Sequence, residues 1–547
     1  MRSLVSNVRA AFGGTPNSPQ SGDLTFDRPE SNLSDKRDAK VAEDSVIRDP
    51  DGLTFDEATR GGLGRHLGFW STYFLIIGRI IGTGIFSTPS SITESVGSVG
   101  AALMLWVLGL ALSFAGLLVW LEFGCMLPRS GGEKLYLEAS YPRPRYLATI
   151  VFAFNAIFLG FTASGCIVFA TNIVTAANST IDDWQKRGIA IAVIVFVTLI
   201  HTFTPKAGVY LMNSLGFLKV FILAFIIIVG LVVLGGHVKS VPDPTASFQN
   251  SFANSSTSSN QYATALFKVL NTYTGWSNAA YVLNEVKNPV RTLKIAGPAA
   301  LATCGALYLL ANVAYFAVAS PTEIAASGVT VAAFFMGKVF GTAAQRAMAV
   351  FVALSSLGNV LTITFAQSRV NQELAKEGVI PYQRFWASTY PSGAPTAGLF
   401  LHFIPSFIII IAIPFGNAFN FIIDVEGYPS SIIALAVVVG LFLLRWKVPD
   451  TARPFKVWWP VAAFFLVGQC FLIVAPFIRP PGGVGDTPPI PYWLYPIVGI
   501  TVLIASVVYW FVWRVVMPRV GSFEWRDIKT NLADGTVVTT FVREKEE

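Results

Sequence analysis

The sequence predicts an all-α integral membrane protein with twelve transmembrane helices, and three observations support this fold class. Of the 547 residues, 53% are hydrophobic and 13% are charged, whereas soluble domains carry about 25% charged residues. The mean hydropathy is +0.57. Apolar segments recur along the chain at the length of roughly 20 residues that a helix needs to cross the hydrocarbon core.

The twelve segments lie near residues 70–96, 101–127, 146–176, 188–204, 211–235, 262–286, 297–319, 344–366, 396–415, 418–444, 457–478 and 492–516. An even number of spans places both termini on one side of the membrane. When that side is cytoplasmic, the cytoplasmic loops hold 15 Lys and Arg residues and the opposite loops hold 6, as the positive-inside rule requires. We therefore predict a disordered cytoplasmic N-terminal tail (1–65), a twelve-helix membrane domain (66–517) and a cytoplasmic C-terminal tail (518–547) that is too short to be a domain.

Several function classes are excluded by the composition. Cytoplasmic loops explain the net charge of +7, so we expect the lipid bilayer and no nucleic acid as a partner. The sequence contains no GxxxxGK[ST] loop, and no nucleophile–base pair stands out, so we expect neither ATP drive nor enzyme activity nor a cofactor. Neither disulfide nor metal site is predicted, because the cysteines lie in or beside apolar spans without paired spacing; they are Cys125, Cys166, Cys304 and Cys470.

The first span is interrupted by Gly82-Thr83-Gly84. Each glycine weakens a helix by about 1 kcal/mol relative to Ala. Unwound backbone at this depth is tolerated where it lines a cavity or is buried in protein. Close helix packing through small residues is the alternative interpretation of this motif.

The sixth span has a similar interruption, a polar stretch around Thr274-Gly275-Trp276. If spans 1–5 and 6–10 are inverted repeats, the two interruptions correspond, and paired discontinuous helices are typical of a substrate site at the membrane midplane. The half-helix after Gly82 offers free N–H groups that suit a carboxylate, and the carbonyls at the helix ends suit an ammonium group. The pattern predicts a site for a zwitterion.

Four motifs in order resemble the L-type amino acid transporter family of the amino acid–polyamine–organocation superfamily, over roughly residues 65–515. They are Gly78–Phe86, Glu122–Glu133, Gly275-Trp276 with Asn284–Arg291, and Ser368–Val370 with Ala375–Pro381. Within that family, Gly82–Ile92 and Ser130–Lys134 resemble fungal high-affinity methionine permeases.

The resemblance implies a LeuT-type fold, a 5+5 inverted repeat with broken helices 1 and 6 and the substrate between them. It implies that the break at Gly82 binds the carboxylate through the amides of Thr83 and Gly84 and the Thr83 hydroxyl. The substrate amino group would face a set of carbonyls, and aromatic residues beside Gly275 would shape the side-chain pocket. The carbonyls are those of Ile80, Ile81, Asn271 and Thr274, and the aromatic residues are Tyr273 and Trp276.

This chain departs from the family pattern at two places. Asn271 stands where many members have an aromatic gate, which puts an aromatic lid in doubt. The loop 177–187 lacks the cysteine by which animal members bind a single-span glycoprotein, so no disulfide-linked heavy subunit is expected.

Charged residues within the spans are predicted to be functional, because a charge at the bilayer centre costs about 2.5–3.5 kcal/mol. In relatives, a lysine at the position of Lys219 resembles a replacement for a sodium ion, which favours proton coupling; snorkelling to the surface is the alternative. Lys268 is expected to face water or headgroups. For the other charges, Arg79 is expected to pair with a carboxylate such as Glu122 or Glu285, and Asp424 and Glu426 to form a polar helix contact or a gating or proton-relay element.

Together these features predict a secondary-active importer of a neutral L-amino acid, most specifically methionine, by proton symport with alternating access at the plasma membrane. A broad-specificity amino acid or polyamine carrier or exchanger and a non-transporting amino acid sensor are the alternatives. An intact Gly82-Thr83-Gly84 site disfavours polyamines, which lack a carboxylate. Ser, Thr and Lys residues around Ser31–Lys40 favour a site for phosphorylation or ubiquitin attachment in the N-terminal tail. The resemblance implies such regulation, with a ubiquitin-ligase adaptor as the partner, and a disordered end without a function is the alternative.

Overall fold

The computed structural model describes residues 68–127, 131–277, 286–389, 393–483, 485, 487–531 and 537–545, which are mostly helical. The predicted N-terminal tail and Glu285 lie outside these residues. Of the described helices, nine are long and apolar enough to cross a membrane, and ten if one bent pair counts as a single span. The prediction of a helical membrane protein is confirmed.

The helices up to the second break are α1 (Phe69–Ile80), α2 (Gly84–Val96), α3 (Val99–Met126), α4 (Glu133–Ser140), α5 (Leu147–Leu159), α6 (Ala163–Ala177), α7 (Asp183–Phe203), α8 (Pro205–Leu234) and α9 (Ser259–Tyr273). A capping box begins α7, in which the Asp182 side chain accepts from the Gln185 N–H and the Gln185 side chain accepts from the Asp182 N–H. Gly97, with a left-handed φ of 74°, ends α2.

The remaining helices are α10 (Pro289–Val318), α11 (Pro321–Ala326), α12 (Val331–Phe340), α13 (Thr342–Lys376), α14 (Gln383–Ala387), α15 (Thr396–Ala412), α16 (Phe415–Lys447), α17 (Trp459–Val474), α18 (Leu494–Phe511) and α19 (Met517–Gly521). A π-helical turn, Val512–Val516, joins α18 to α19. Short 3₁₀ turns lie at Ala246–Phe248, Gly328–Thr330, Ala475–Phe477 and Pro481–Gly483.

The predicted spans differ from these helices in two respects. Span 396–415 corresponds to α15 with 17 residues, which is short for a complete crossing. Of span 262–286, the structure describes α9, which ends at Tyr273, and residues 274–277 and 286. The count of twelve therefore stays a prediction. The third span contains an interruption that the sequence analysis missed, between Leu159 and Ala163.

Two predictions about charged residues, one pairing and one location, are corrected by the structure. Glu122 on α3 is fully buried and pairs with Arg445 at the end of α16, and its Oε1 lies 3.6 Å from Nε of Arg453. It is therefore not a partner of Arg79. Lys268 on α9 is fully buried rather than facing water, with its Nζ 3.6 Å from Oδ1 of Asp424 on α16. The carboxylate explains why Lys268 can lie inside, because buried charges are paired.

The C-terminal segment forms an antiparallel hairpin of β1 (Phe523–Asn531) and β2 (Val537–Lys545), with Phe523 opposite Lys545. From the sequence, this segment is predicted to be a tail that is too short to form a domain. Val538 of β2 is fully buried in a cluster with Ala375 of α13 and Ala387 of α14. The indole of Trp525 donates to the carbonyl of Trp513, at 2.9 Å. The hairpin is thus packed onto the helical domain.

Candidate functional site

The two predicted helix breaks are in contact. The chain bends by 43° between α1 and α2 at residues 81–83, and α9 ends at Tyr273, just before Gly275. Gly275 has a φ of 126°, and a methyl group added there would lie 2.7 Å from Cγ and 3.0 Å from the carbonyl carbon of Arg79. Only glycine fits this conformation and this close approach. The structure therefore brings together the two interruptions that the sequence placed about 190 residues apart.

Gly84 lets α2 approach α9 closely. A methyl group added at Gly84 would lie 2.6 Å from Oγ1 of Thr272, closer than two such atoms can come. Beside it, the hydroxyl oxygens of Thr88 and Thr272 are 3.1 Å apart, within hydrogen-bonding distance. The close-packing interpretation of the Gly-Thr-Gly motif therefore applies to Gly84, and it does not conflict with a binding role for the backbone.

The backbone N–H and carbonyl groups at the breaks differ in whether they already make hydrogen bonds within the protein. Within the described residues, no carbonyl accepts a hydrogen bond from the N–H of Thr83 or Gly84, and the Thr83 side chain is nearly buried. The carbonyl of Ile80 accepts from the Tyr308 hydroxyl at 2.8 Å, and the Asn271 carbonyl accepts from the Thr274 N–H at 3.1 Å. Each of these carbonyls has a second lone pair for another donor. The arrangement suits an anion at the start of α2 and a cation near the carbonyls.

Tyr308 on α10 is a residue that the sequence analysis missed. Its hydroxyl oxygen lies 2.8 Å from the Ile80 carbonyl oxygen and 3.3 Å from the Thr272 carbonyl oxygen. It therefore joins the end of α1 to α9 at the point where both helices are interrupted. A tyrosine in an apolar span gives no sequence signal for this position, because the bridge depends on how α10 packs against two other helices.

The two aromatic residues predicted for the side-chain pocket lie in different surroundings. Tyr273 is fully buried among Trp106 and Tyr308, with ring centroids 5.8 and 5.2 Å away, and its hydroxyl lies 3.5 Å from the Trp106 carbonyl oxygen. Trp276 is half-buried and meets Trp120 of α3 edge-on at 5.4 Å. Asn271 is half-buried and Thr274 is exposed. Of the residues that the sequence predicts for the site in the sixth span, Asn271, Thr274 and Trp276 thus have accessible side chains.

Lys219 lies inside the helix bundle. Only 1% of its surface is exposed, which disfavours the alternative in which its ammonium group reaches the membrane surface. A methyl group added to Gly358 of α13 would lie 3.3 Å from its Cε. Arg79 acts on Lys219 electrostatically, and also on Glu426 of α16. Three of the charged groups within the predicted spans, Arg79, Lys219 and Glu426, are therefore near enough to one another to interact at the end of α1.

None of the four cysteines, all of which lie in the described part of the chain, forms a disulfide. Among the described residues, no group of three His, Cys, Asp or Glu side chains is arranged to hold a metal ion.

Comparison with known proteins assigns the family. The family model described as amino acid permease matches residues 67–505. The high-affinity methionine permease of Saccharomyces cerevisiae is 39% identical over 469 residues, which cover 84% of this chain and 81% of the relative. The low-affinity methionine permease of the same yeast is 32% identical over 534 residues, covering 95% of each chain. The mouse b(0,+)-type amino acid transporter 1 is 31% identical over 432 residues, covering 77% of this chain and 84% of the relative.

These similarities agree with the predicted resemblance and support amino acid transport by an integral membrane protein. The relatives are permeases and transporters, so the expectation that the chain is not an enzyme is confirmed. With more than half of its length matched by the family model, the chain belongs to the amino acid permease family.

Proposed function

We propose that this protein is a secondary-active importer of a neutral L-amino acid, and that its substrate is methionine. The observation that carries the proposal is the contact between the two broken helices, at Gly275 against Arg79. A relative named for high-affinity methionine permeation, at 39% identity, supports the choice of substrate. The bound amino acid would lie between α1–α2 and α9, in a twelve-helix LeuT-type arrangement of two inverted repeats.

In this proposal the substrate is held mainly by backbone groups. The N–H groups of Thr83 and Gly84 and the Thr83 hydroxyl bind its carboxylate, since the start of α2 carries partial positive charge. Carbonyls at the two breaks accept from its ammonium group, with Trp276 and Asn271 beside the side chain. Those carbonyls belong to Ile80, Ile81, Asn271 and Thr274. Tyr273, which is fully buried, would act on the pocket through packing.

The test of this function is uptake of radiolabelled methionine in a cell that lacks its own methionine transporter, at two external pH values. We expect saturable uptake that is faster at the lower pH and is displaced by unlabelled methionine but weakly by leucine or arginine. Equal displacement by all three amino acids would refute narrow specificity.

Lys219 is proposed as the coupling residue, because a buried lysine is costly to keep charged and can release its proton. We expect Lys219→Met to lose the acceleration of uptake by an inward proton gradient. The affinity for methionine should fall by a smaller factor than the gradient-driven uptake. Proteoliposomes with and without a pH gradient provide the measurement. Lys206, which is exposed at the start of α8, gives the control variant Lys206→Met. Gradient-driven uptake that persists in Lys219→Met would contradict the carrier role.

Tyr308 is expected to hold the broken helices in register. Removing its hydroxyl in Tyr308→Phe loses a buried hydrogen bond worth about 1 kcal/mol and leaves two carbonyls less well satisfied, so we expect KM for methionine to rise roughly fivefold or more. Tyr428→Phe is the matched control, because the Tyr428 hydroxyl bonds to the Ile473 carbonyl at 3.2 Å, between α16 and α17. Equal KM values in both variants would argue against a role for the bridge.

An exchanger of several amino acids is the second candidate, favoured by the similarity to a b(0,+)-type amino acid transporter. Preloading vesicles with unlabelled amino acids separates the two functions. Uptake that depends on the internal amino acid and does not change with the pH gradient would support exchange.

We also propose that the protein lies in the plasma membrane with both termini cytoplasmic, and that the N-terminal tail recruits a ubiquitin-ligase adaptor. Epitope tags at each end, probed before and after permeabilisation, test the orientation.

A further inference from the structure

Helix α13 carries polar side chains past the break between α1 and α2. Ser355 and Ser356 are fully buried, and in the described part of the chain their hydroxyl oxygens have no hydrogen-bond partner. Asn359 follows one turn after Ser355 and is half-buried. Its carboxamide makes no hydrogen bond to any residue that the structure describes. Because buried polar groups in proteins are nearly always hydrogen-bonded, this face of α13 suggests a missing partner.

The position of Asn359 identifies where that partner lies. A methyl group added to Gly82 would lie 3.1 Å from Oδ1 and 3.4 Å from Nδ2 of Asn359. The carboxamide therefore faces the backbone of the first break. Ser355 lies on the same helix face, because residues four apart are neighbours on a helix. The adjacent residue, Gly358, faces Lys219, so consecutive residues of α13 face the proposed coupling residue and the break.

The surroundings of Asn359 favour the negative end of a ligand. No carbonyl in the described ranges accepts from the N–H groups of Thr83 and Gly84 at the start of α2, and the protonated form of Lys219 adds a positive charge beyond Gly358. On the other side, Thr272 closes the break by packing against Gly84. A carboxamide supplies two N–H donors from its nitrogen, and a hydrogen bond to a carboxylate is stronger than one between neutral groups.

We propose that Asn359 is a substrate-binding residue whose carboxamide donates a hydrogen bond to the carboxylate of the amino acid at the Gly82 break. This inference rests on the proposed function. It adds α13 to the elements that line the site, which are otherwise the broken helices α1–α2 and α9. No pattern in the sequence singled out Asn359, because its place depends on how α13 packs against the break.

The test compares methionine with methioninol, which has the same side chain and amino group but no carboxylate. In Asn359→Leu, which keeps a similar volume, we expect KM for methionine to rise about 10- to 100-fold, as for loss of a hydrogen bond to a charged group. Inhibition by methioninol should change little, so the preference for methionine over methioninol should shrink by a similar factor. Asn359→Asp should abolish methionine binding, because the introduced carboxylate would repel the carboxylate of the substrate.

The matched control is Thr362→Val on the same helix, whose hydroxyl bonds to the Gly358 carbonyl at 2.7 Å; it should keep the wild-type preference. An unchanged preference in Asn359→Leu would overturn the proposal, as would equal weakening of methionine and methioninol. Failure of Asn359→Leu and Asn359→Ala to reach the membrane beside a normal Thr362→Val would assign Asn359 to packing and overturn it too. If the wild-type protein does not transport methionine, only the proposed substrate is refuted. The comparison would then use the amino acid that the protein does transport and the amino alcohol derived from it.

Discussion

Gly84→Ala is expected to abolish most uptake while the protein still reaches the membrane. The added methyl group would lie 2.6 Å from Oγ1 and 2.9 Å from Cγ2 of Thr272, so α2 and α9 must separate. Overpacking of this kind costs about 1–3 kcal/mol, which corresponds to a roughly 5- to 150-fold loss of uptake rate if the whole cost falls on the transport-active arrangement. Initial rates of methionine uptake, normalised to protein in the membrane, provide the measurement.

Gly78→Ala is the matched control for this prediction. Gly78 lies in α1, one turn before the break, and a methyl group added there meets nothing within 4 Å. A normal rate in Gly78→Ala beside a lost rate in Gly84→Ala would separate close approach from a general intolerance of substitution. Adding Thr272→Ala to Gly84→Ala removes the two nearest atoms and should recover part of the rate. Full activity in Gly84→Ala would show that α2 and α9 need not approach this closely.

Asp424→Asn is expected to destabilise the folded protein by about 3–5 kcal/mol, because it leaves the fully buried Lys268 without its carboxylate. Much less protein should reach the membrane, and what does should melt at a lower temperature in detergent. Thermal unfolding of the purified protein and its amount in the membrane are the measurements. The double variant Lys268→Met, Asp424→Leu should recover much of the loss, since a well-packed apolar pair can replace a buried ion pair.

An exposed ion pair provides the control for this second prediction. Lys338 of α12 lies 2.5 Å from Glu323 of α11, and their side chains are 38% and 42% exposed. The lysine holds the pKa of Glu323 below its usual value, but solvent screening limits such a pair to about 0–1 kcal/mol. Glu323→Gln should therefore change the melting temperature little. If Asp424→Asn lowered the melting temperature equally little, the carboxylate of Asp424 would not be what stabilises Lys268 inside the bundle.

The sequence predicted those features that follow from local chemistry. Glycines beside polar residues marked the breaks at Gly82 and Gly275, since glycine in an apolar helix weakens it where it stands. The helical membrane character followed from segment length and hydropathy, but these did not predict that α15 is short or that the third span is interrupted after Leu159. The close contact of the two breaks was expected from their proposed symmetry rather than from either motif alone.

The features that the sequence did not predict depend on packing between distant segments. Lys268 was expected to face water or headgroups because it lies near the start of the predicted span 262–286. Its burial is tolerable because Asp424 of α16 lies beside it. Glu122 was one of two carboxylates considered as partners for Arg79, but its partners are Arg445 and Arg453, more than 300 residues further along the chain. Tyr308 and Asn359 look like ordinary span residues until α10 and α13 are placed beside the breaks.

The hairpin of β1 and β2 has a practical consequence for experiments on this protein. Its Val538 is buried against Ala375 and Ala387, and Thr539 lies against Gly378 at the end of α13. Residues 518–547 look like a dispensable tail in the sequence, so a truncation at Pro518 is an obvious choice. Such a truncation removes the hairpin and exposes to water the apolar side chains that the hairpin covers. Shortened versions are therefore expected to be retained by cellular quality control, and fluorescent reporters should be attached after the hairpin through a flexible linker rather than in place of it.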